Sequence, residues 1–437
     1  MREVAVIGGG WAGFAAAVEL ARRGTKVTLY ESARSLGGRA RGVEINGCLL
    51  DNGQHILLGA YTETLRLMRI VGIDARSALL RLPLQMRYPP DSGGMDFVTP
   101  RLPAPLHMLV GLLRASGLTR DDKLSLARFS TTARWMDWQL NTDCSVAELL
   151  DRYDQTDRLI RLMWRPLCIA ALNTPPERAS AQVFLNVLRD SLGARRIASD
   201  MLLPRDDMTA MFPTHAASFI ERQGGCVRCG ETVSGIRRDG RCWRLDIANA
   251  FDAGDARFDG IVVATQATRA ASLLDGVAES SIPDFDYEPI STCYLQYAPD
   301  VRLAQPFFAL LDDAASGNWG QFVFDRGQLD PRHAGLLSVV VSASDEAIAL
   351  GHDAIATAIA AQLATAFRQA ALARPQWSKM ISEKRATFSC TPALARPQNR
   401  TDCENLVIAG DYTASDYPAT LESAVRSGVQ AANLLLQ

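Results

Sequence analysis

The chain contains no run of 18 or more consecutive apolar residues, so no segment is expected to span a bilayer. Its start lacks a basic stretch followed by an apolar core, the signature of a secretory leader. It has little net charge: 46 Lys and Arg against 48 Asp and Glu leave −2, which gives no electrostatic case for a nucleic-acid partner. Its nine cysteines are odd in number and scattered, which suits a reducing cytoplasm better than a disulfide framework. The one C-x-x-C, Cys226 to Cys229, reads as a strand with one thiol outward and one inward. No second Cys or His pair stands at ligand spacing, so no metal is expected. No internal repeat or low-complexity linker divides the chain. At 437 residues and 48% hydrophobic, it is long enough to bury a large core in two domains.

What the sequence does have is concentrated first in residues 1–60. Residues 4–7 form a short β-branched run that reads as a buried strand. Gly8, Gly10 and Gly13 then supply G-x-G-x-x-G, and an Ala-rich helix follows over 11–23, opening with Trp11 and Ala12. The first Gly permits the tight turn, the second lets backbone approach a pyrophosphate, and the third packs the helix on the strand. A second strand over 26–30 ends in Glu31, eighteen residues after Gly13, where an acid accepts hydrogen bonds from an adenosine ribose. Strand, glycines, helix, strand and acid in this order predict a Rossmann-type dinucleotide site, with phosphates at the helix N-terminus.

Directly after Glu31, residues 35–42 read SLGGRARG, placing Gly38 and Arg39 beside the phosphates. Neither belongs to the simple NAD fingerprint, and here the sequence resembles flavoproteins of the amine oxidase and phytoene desaturase superfamily. The resemblance implies FAD as cofactor. It also implies an adenine contact through the backbone of Val233, and contacts to ribityl and phosphates from Gly410 and Asp411. Residues 51–61, DNGQHILLGAY, carry Gln54 and His55 between Gly53 and Gly59, a pattern suited to one face of a flavin; a helix entry capped by Asp51 is the structural alternative. A final helix starts near Ala419 or Thr420, its positive end available to negative charge on the flavin. The expected fold is therefore α/β: a Rossmann-type FAD-binding domain from 1–75, 205–265 and 395–437, with an interleaved α+β substrate domain from 76–204 and 266–394.

Within the second domain, short strands are expected over 79–99, helices over 121–140, 146–152 and 157–171, and two helices broken at Pro175-Pro176. After residue 225, GGCVRCGETVSGIRRDGRCWRLDI alternates as a small sheet. Residues 260–265 form another buried strand, 292–297 and 336–342 form strands, and 353–373 a helix. Residues 101–118, apolar with flanking bases, suit either an amphipathic helix over the substrate cavity or peripheral contact with the inner face of the cytoplasmic membrane.

No second G-x-G-x-x-G follows a strand downstream, so electrons must pass to or from the substrate, oxygen or an external carrier. Three further blocks narrow the resemblance: DNGQHILLGAY with TLRLMRIVG, WRPLCIAALNTPPERASAQVF with VLRDSLG, and GDYTASDYPATLESAVRSG. Over nearly its whole length the chain looks like the squalene-associated desaturase-like family of hydroxysqualene dehydroxylases. The resemblance implies that hydroxysqualene and reduced FAD give squalene, oxidised FAD and water, in squalene and hopanoid synthesis. The allylic hydroxyl needs protonation as it leaves, and His55, then Asp51, are the candidate acids. Tyr412 and Tyr417 are expected to face either substrate or core.

Three other readings stand beside it. An amine oxidase would have an aromatic residue where Thr420 stands two residues before Glu422, and covalent flavin at Cys390 lacks a reactive thiol environment. A carotenoid desaturase shares the isoprenoid substrate. The Rab GDP-dissociation inhibitors resemble the fold and bind prenyl groups without FAD.

Overall fold

The computed structural model describes residues 2–248, 257–279 and 281–437. Five short apolar stretches assemble into one parallel sheet in the order Cys226–Cys229, Lys26–Glu31, Glu3–Ile7, Gly260–Val263 and Leu406–Ile408. Its inner strands are apolar on both faces because both faces are covered. Val4, Val6, Val27, Leu29 and Val262 point toward the helices Trp11–Arg22 and Leu421–Leu435. Ala5, Ile7, Tyr30, Ile261 and Val263 point the other way, toward Ile236, Trp243 and Phe258 of the antiparallel strands Thr232–Asp239, Cys242–Ala248 and Arg257–Phe258. Residues 249–256 of the 205–265 stretch lie outside the described residues.

The second sheet is antiparallel, in the order Phe307–Ala309, Phe322–Asp325, Leu336–Ser342, Tyr287–Gln296 and Trp377–Phe388. One face packs on the helix His352–Ala366 through Ile355, Ile359 and Leu363. The other face sends Ile290, Phe307 and Phe322 to a large cavity. Helices between residues 106 and 199 wall the far side around Trp164. This indole is buried between Phe129 and Phe184, with centroids 4.8 and 6.1 Å away, and donates to Gln155 Oε1 at 2.9 Å.

Several elements depart from expectation for local reasons. Cys226–Cys229 joins the parallel sheet as an edge strand, outside the small antiparallel sheet. Both its thiols are exposed. The helix expected over 121–140 is Arg120–Trp135, ended where Asp137 and Trp138 take φ of 51° and 58°. The 157–171 segment stays helical but widens to a π-turn over Ile160–Trp164. Asn173, at φ 48°, ends it before the prolines are reached. The 353–373 helix stops at Ala366, before Arg368 at φ 54°.

Candidate flavin and substrate cavity

The strand Glu3–Ile7 runs straight into the glycine turn and the helix Trp11–Arg22. A Cβ on Gly13 would lie 1.9 Å from the Gly8 carbonyl oxygen, so only glycine lets this helix start so close to its strand. The helix is N-capped by Gly10 with no side-chain acceptor, leaving its first N–H groups to a ligand. Gly37 donates from its N–H to the Gly9 carbonyl at 2.8 Å, and Gly38, at φ +65°, lies against Gly10. The second glycine pair thus forms the opposite wall of the same turn.

A cavity of about 1140 Å³ opens at this point. It is bounded by Gly8, Gly10, Trp11 and Ala12, then by Glu31, Gly38 and Arg39. Gly53, Gln54, His55, Val233, Gly410, Asp411 and Thr420 also line it, so fourteen residues singled out in the sequence meet in one place. Gly13 and Asp51 do not. Gly13 is spent on packing, as its spacing implies.

The charges along the groove are held by backbone as much as by each other. Glu31 accepts from the Gly9 N–H at 2.6 Å and the Ala33 N–H at 2.7 Å. A carboxylate offers about four acceptor positions, so capacity remains for a ribose hydroxyl. Arg39 donates to Asp411 Oδ1 and to the Ala386 carbonyl, both at 2.6 Å, tying the second glycine turn to the last strand's end. Val233 has its carbonyl taken by Arg269 at 2.7 Å. Thr420 caps the final helix by accepting from the Ser423 N–H at 3.1 Å.

Beneath the 51–55 loop lies a buried ionic group that the sequence reading did not register. Asp51 accepts from the Met208 N–H at 2.7 Å and lies 4.0 Å from the Arg326 guanidinium; both side chains are 1% exposed. Burial pushes the Asp51 carboxyl up to about 7, against the pull of Arg326 and the Met208 N–H. Arg326 donates to Gln54 Oε1 at 3.2 Å, and Ser338 donates to the same oxygen at 2.9 Å. Gln54 is therefore fixed from behind, its amide nitrogen donating to the His55 carbonyl at 3.2 Å. Asp51 supports this loop from beneath and does not line the cavity.

His55 reaches the cavity with Nδ1 buried and unpartnered. Burial holds the imidazole down at about 4, although the ring's hydrogen bond to the Gly53 carbonyl favours its charge. Burial favours the neutral ring, which weighs against the general-acid role expected of His55.

Of the two alternatives for Tyr412 the structure takes the core: its ring is 6.3 Å from that of Phe285 and it does not line the cavity. Tyr417 lines the cavity, donates to Asp190, and lies under the Arg426 guanidinium at 5.0 Å. Cys390 is buried outside the lining, its thiol pushed up to about 12 by burial. The same lining carries the apolar side chains Leu84, Met86, Leu167, Val187, Leu188 and Phe322.

The polar end fits a flavin nucleotide. An uncapped helix N-terminus, a ribose-competent carboxylate and three buried unpartnered atoms on the lining, His55 Nδ1, Gln85 Nε2 and Glu231 Oε2, are free to meet a polar ligand. Fold and groove together define an FAD-dependent oxidoreductase. The family described as flavin containing amine oxidoreductase matches residues 11–436, and the chain belongs to it.

Its relatives include proteins named hydroxysqualene dehydroxylase. That of Sinorhizobium fredii is 27% identical, with 100% of this chain and 98% of the relative covered. That of Rhodopseudomonas palustris is 29% identical with the same coverage. A zeta-carotene desaturase of Arabidopsis thaliana is 24% identical over 99% of this chain and 85% of its own. Among solved structures, cyclohexylamine oxidase from Brevibacterium oxydans superposes with a TM-score of 0.67 at 16% identity, covering 99% and 98% of the two chains. This last likeness is one of fold.

Proposed function

We propose that this enzyme reductively removes the hydroxyl of hydroxysqualene, giving squalene and water, in squalene and hopanoid synthesis. The observation that carries the reading is the continuity of the cavity, from a nucleotide groove at Gly10 and Glu31 to an apolar chamber at Leu84, Leu167 and Phe322. Proteins named for this reaction match the chain end to end.

Gly10, the N–H groups of the first helix, Glu31, Arg39 and Asp411 would hold FAD. When bound and reduced, FAD supplies the hydride that replaces the departing hydroxyl. The chain's task is then to hold an isoprenoid against the ring, exclude water and manage one proton. Leucine, methionine and phenylalanine walls perform the first two tasks. With His55 neutral, the Tyr417 hydroxyl, bonded to Asp190 beside Arg426, is the proton-bearing group we assign to the departing oxygen. The electrons come from an external donor.

The test is anaerobic. The bound flavin is reduced photochemically, hydroxysqualene is added in detergent, and flavin spectrum and lipid are followed together. Flavin reoxidation matched by squalene is the expected result. If only the oxidised enzyme reacts, and the product gains a double bond, the reaction is a carotenoid-type desaturation and the proposal fails.

A further inference from the structure

Among the described residues, eight large apolar side chains are exposed, and six belong to the helical region between residues 106 and 199: Leu106, Leu109, Leu113, Leu124, Trp135 and Ile197. The other two are Leu49 and Leu350. The helix Leu106–Arg114 contributes three at spacings of three and four, which puts them on one face. Its opposite face is already used. His107 is fully buried, Gly111 lies against Phe97, and Met108 and Leu112 pack on the core. The exposed leucines are therefore a second apolar face on a helix whose core contact is complete.

The neighbours belong to the same surface. Lys123 Nζ donates to the Leu113 carbonyl at 2.9 Å, which brings Leu124 alongside. Trp135 is 88% exposed, and Ile197 lies on the cavity lining itself. The helix also packs on the strand Asp96–Val98, whose partner strand Gln85–Arg87 contributes Gln85 and Met86 to the cavity lining.

Charge selects the occupant. Residues 101–135 hold Arg101, Arg114, Arg120, Lys123, Arg128 and Arg134 against Asp121 and Asp122, a local excess of four positive charges in a chain of net −2. Leucines on one helical face, a bare tryptophan and a fringe of arginines are what an interfacial helix presents to acyl chains and anionic headgroups. We infer that this face docks on an anionic lipid bilayer and turns the cavity mouth toward the hydrocarbon. The purpose of docking rests on the isoprenoid reading of the substrate; the binding itself does not.

The experiment is vesicle flotation of the full, flavin-loaded chain, with phosphatidylcholine alone or mixed with phosphatidylglycerol. Flotation is expected with the anionic vesicles, weakening as salt screens the arginines. Leu109→Glu with Leu113→Glu should weaken it at least tenfold, while flavin content and turnover of detergent-solubilised substrate stay unchanged. Trp135→Ser, at a bare position, should weaken it without disturbing the fold.

Equal flotation on neutral vesicles, or variants that float as well as the native chain, would overturn the assignment. So would a dimer in solution that Leu113→Glu dissociates, with no flotation, since the face would then meet a second copy. Vesicle binding with no turnover of hydroxysqualene would support the docking and sink the functional reading instead.

Discussion

His55 and Asp51 show how burial reverses what a residue's identity suggests. A histidine beside a flavin site invites an acid role, yet burial pulls this ring toward its neutral form. His55→Gln should accordingly keep turnover within about threefold, and the pH–rate profile of the reduced enzyme should keep its shape between pH 5.5 and 8. Tyr417→Phe should lower turnover at least tenfold with flavin content intact, as read by single-turnover reoxidation. For Asp51 the sign of the pH effect follows from a raised carboxyl. Between pH 4 and 7 the native state binds a proton that the unfolded chain has released, so this group's contribution falls as pH rises. Asp51→Asn removes that loss. Its stability relative to the native chain should climb by up to about 4 kcal/mol between pH 4 and 7, measured by denaturant melts across that range.

The final helix does more than close the sheet. Glu422 accepts from the N–H groups of Glu63 and Thr64 at 3.0 and 2.9 Å and from the Thr64 hydroxyl at 2.7 Å, so one carboxylate caps the helix Thr62–Ile70 from a distant part of the chain. Truncating it strands three donors, and Glu422→Ala should cost about 3 kcal/mol or more in a thermal or denaturant melt. The crossing of Trp11–Arg22 with Leu421–Leu435 is as demanding. Because a Cβ at Gly428 would meet the Ala12 carbonyl oxygen at 2.1 Å, Gly428→Val must push the phosphate-binding helix off its register and lose flavin on purification.

Local pattern gave these helices and little of their joinery. The start of the last helix is legible because Thr420 precedes an amphipathic run, and capping is a local event. That Glu422 belongs to another helix is not, because no rule of spacing links residues 358 apart. The helix ends at Asp137 and Arg368 were misjudged for a related reason: left-handed backbone at a non-glycine residue leaves no compositional mark.

At the scale of the whole molecule, one nucleotide groove and one apolar chamber share a single cavity, which sets how electrons travel. Among the described residues a single glycine-turn, strand and helix unit carries the phosphate site. NADH or NADPH added anaerobically should therefore leave the flavin oxidised over times in which photoreduction is complete.

The sequence by itself determined the parts whose cause is short-range. The turn at Gly8 and Gly10, the packing of Gly13, the acid at the end of the second strand and the second glycine pair each follow from backbone geometry within a few residues. So the groove could be assembled residue by residue before the chain was folded. Tertiary structure decided whatever depends on burial and on distant partners. Arg326 came to lie under Gln54 and Asp51, 272 residues from the glutamine it orients. His55 lost its charge to desolvation, and Tyr417 met Asp190 across 227 residues. Solvation is a property of the folded surroundings, so a side chain's type fixes which proton it can carry, and only the cavity around it fixes whether it does.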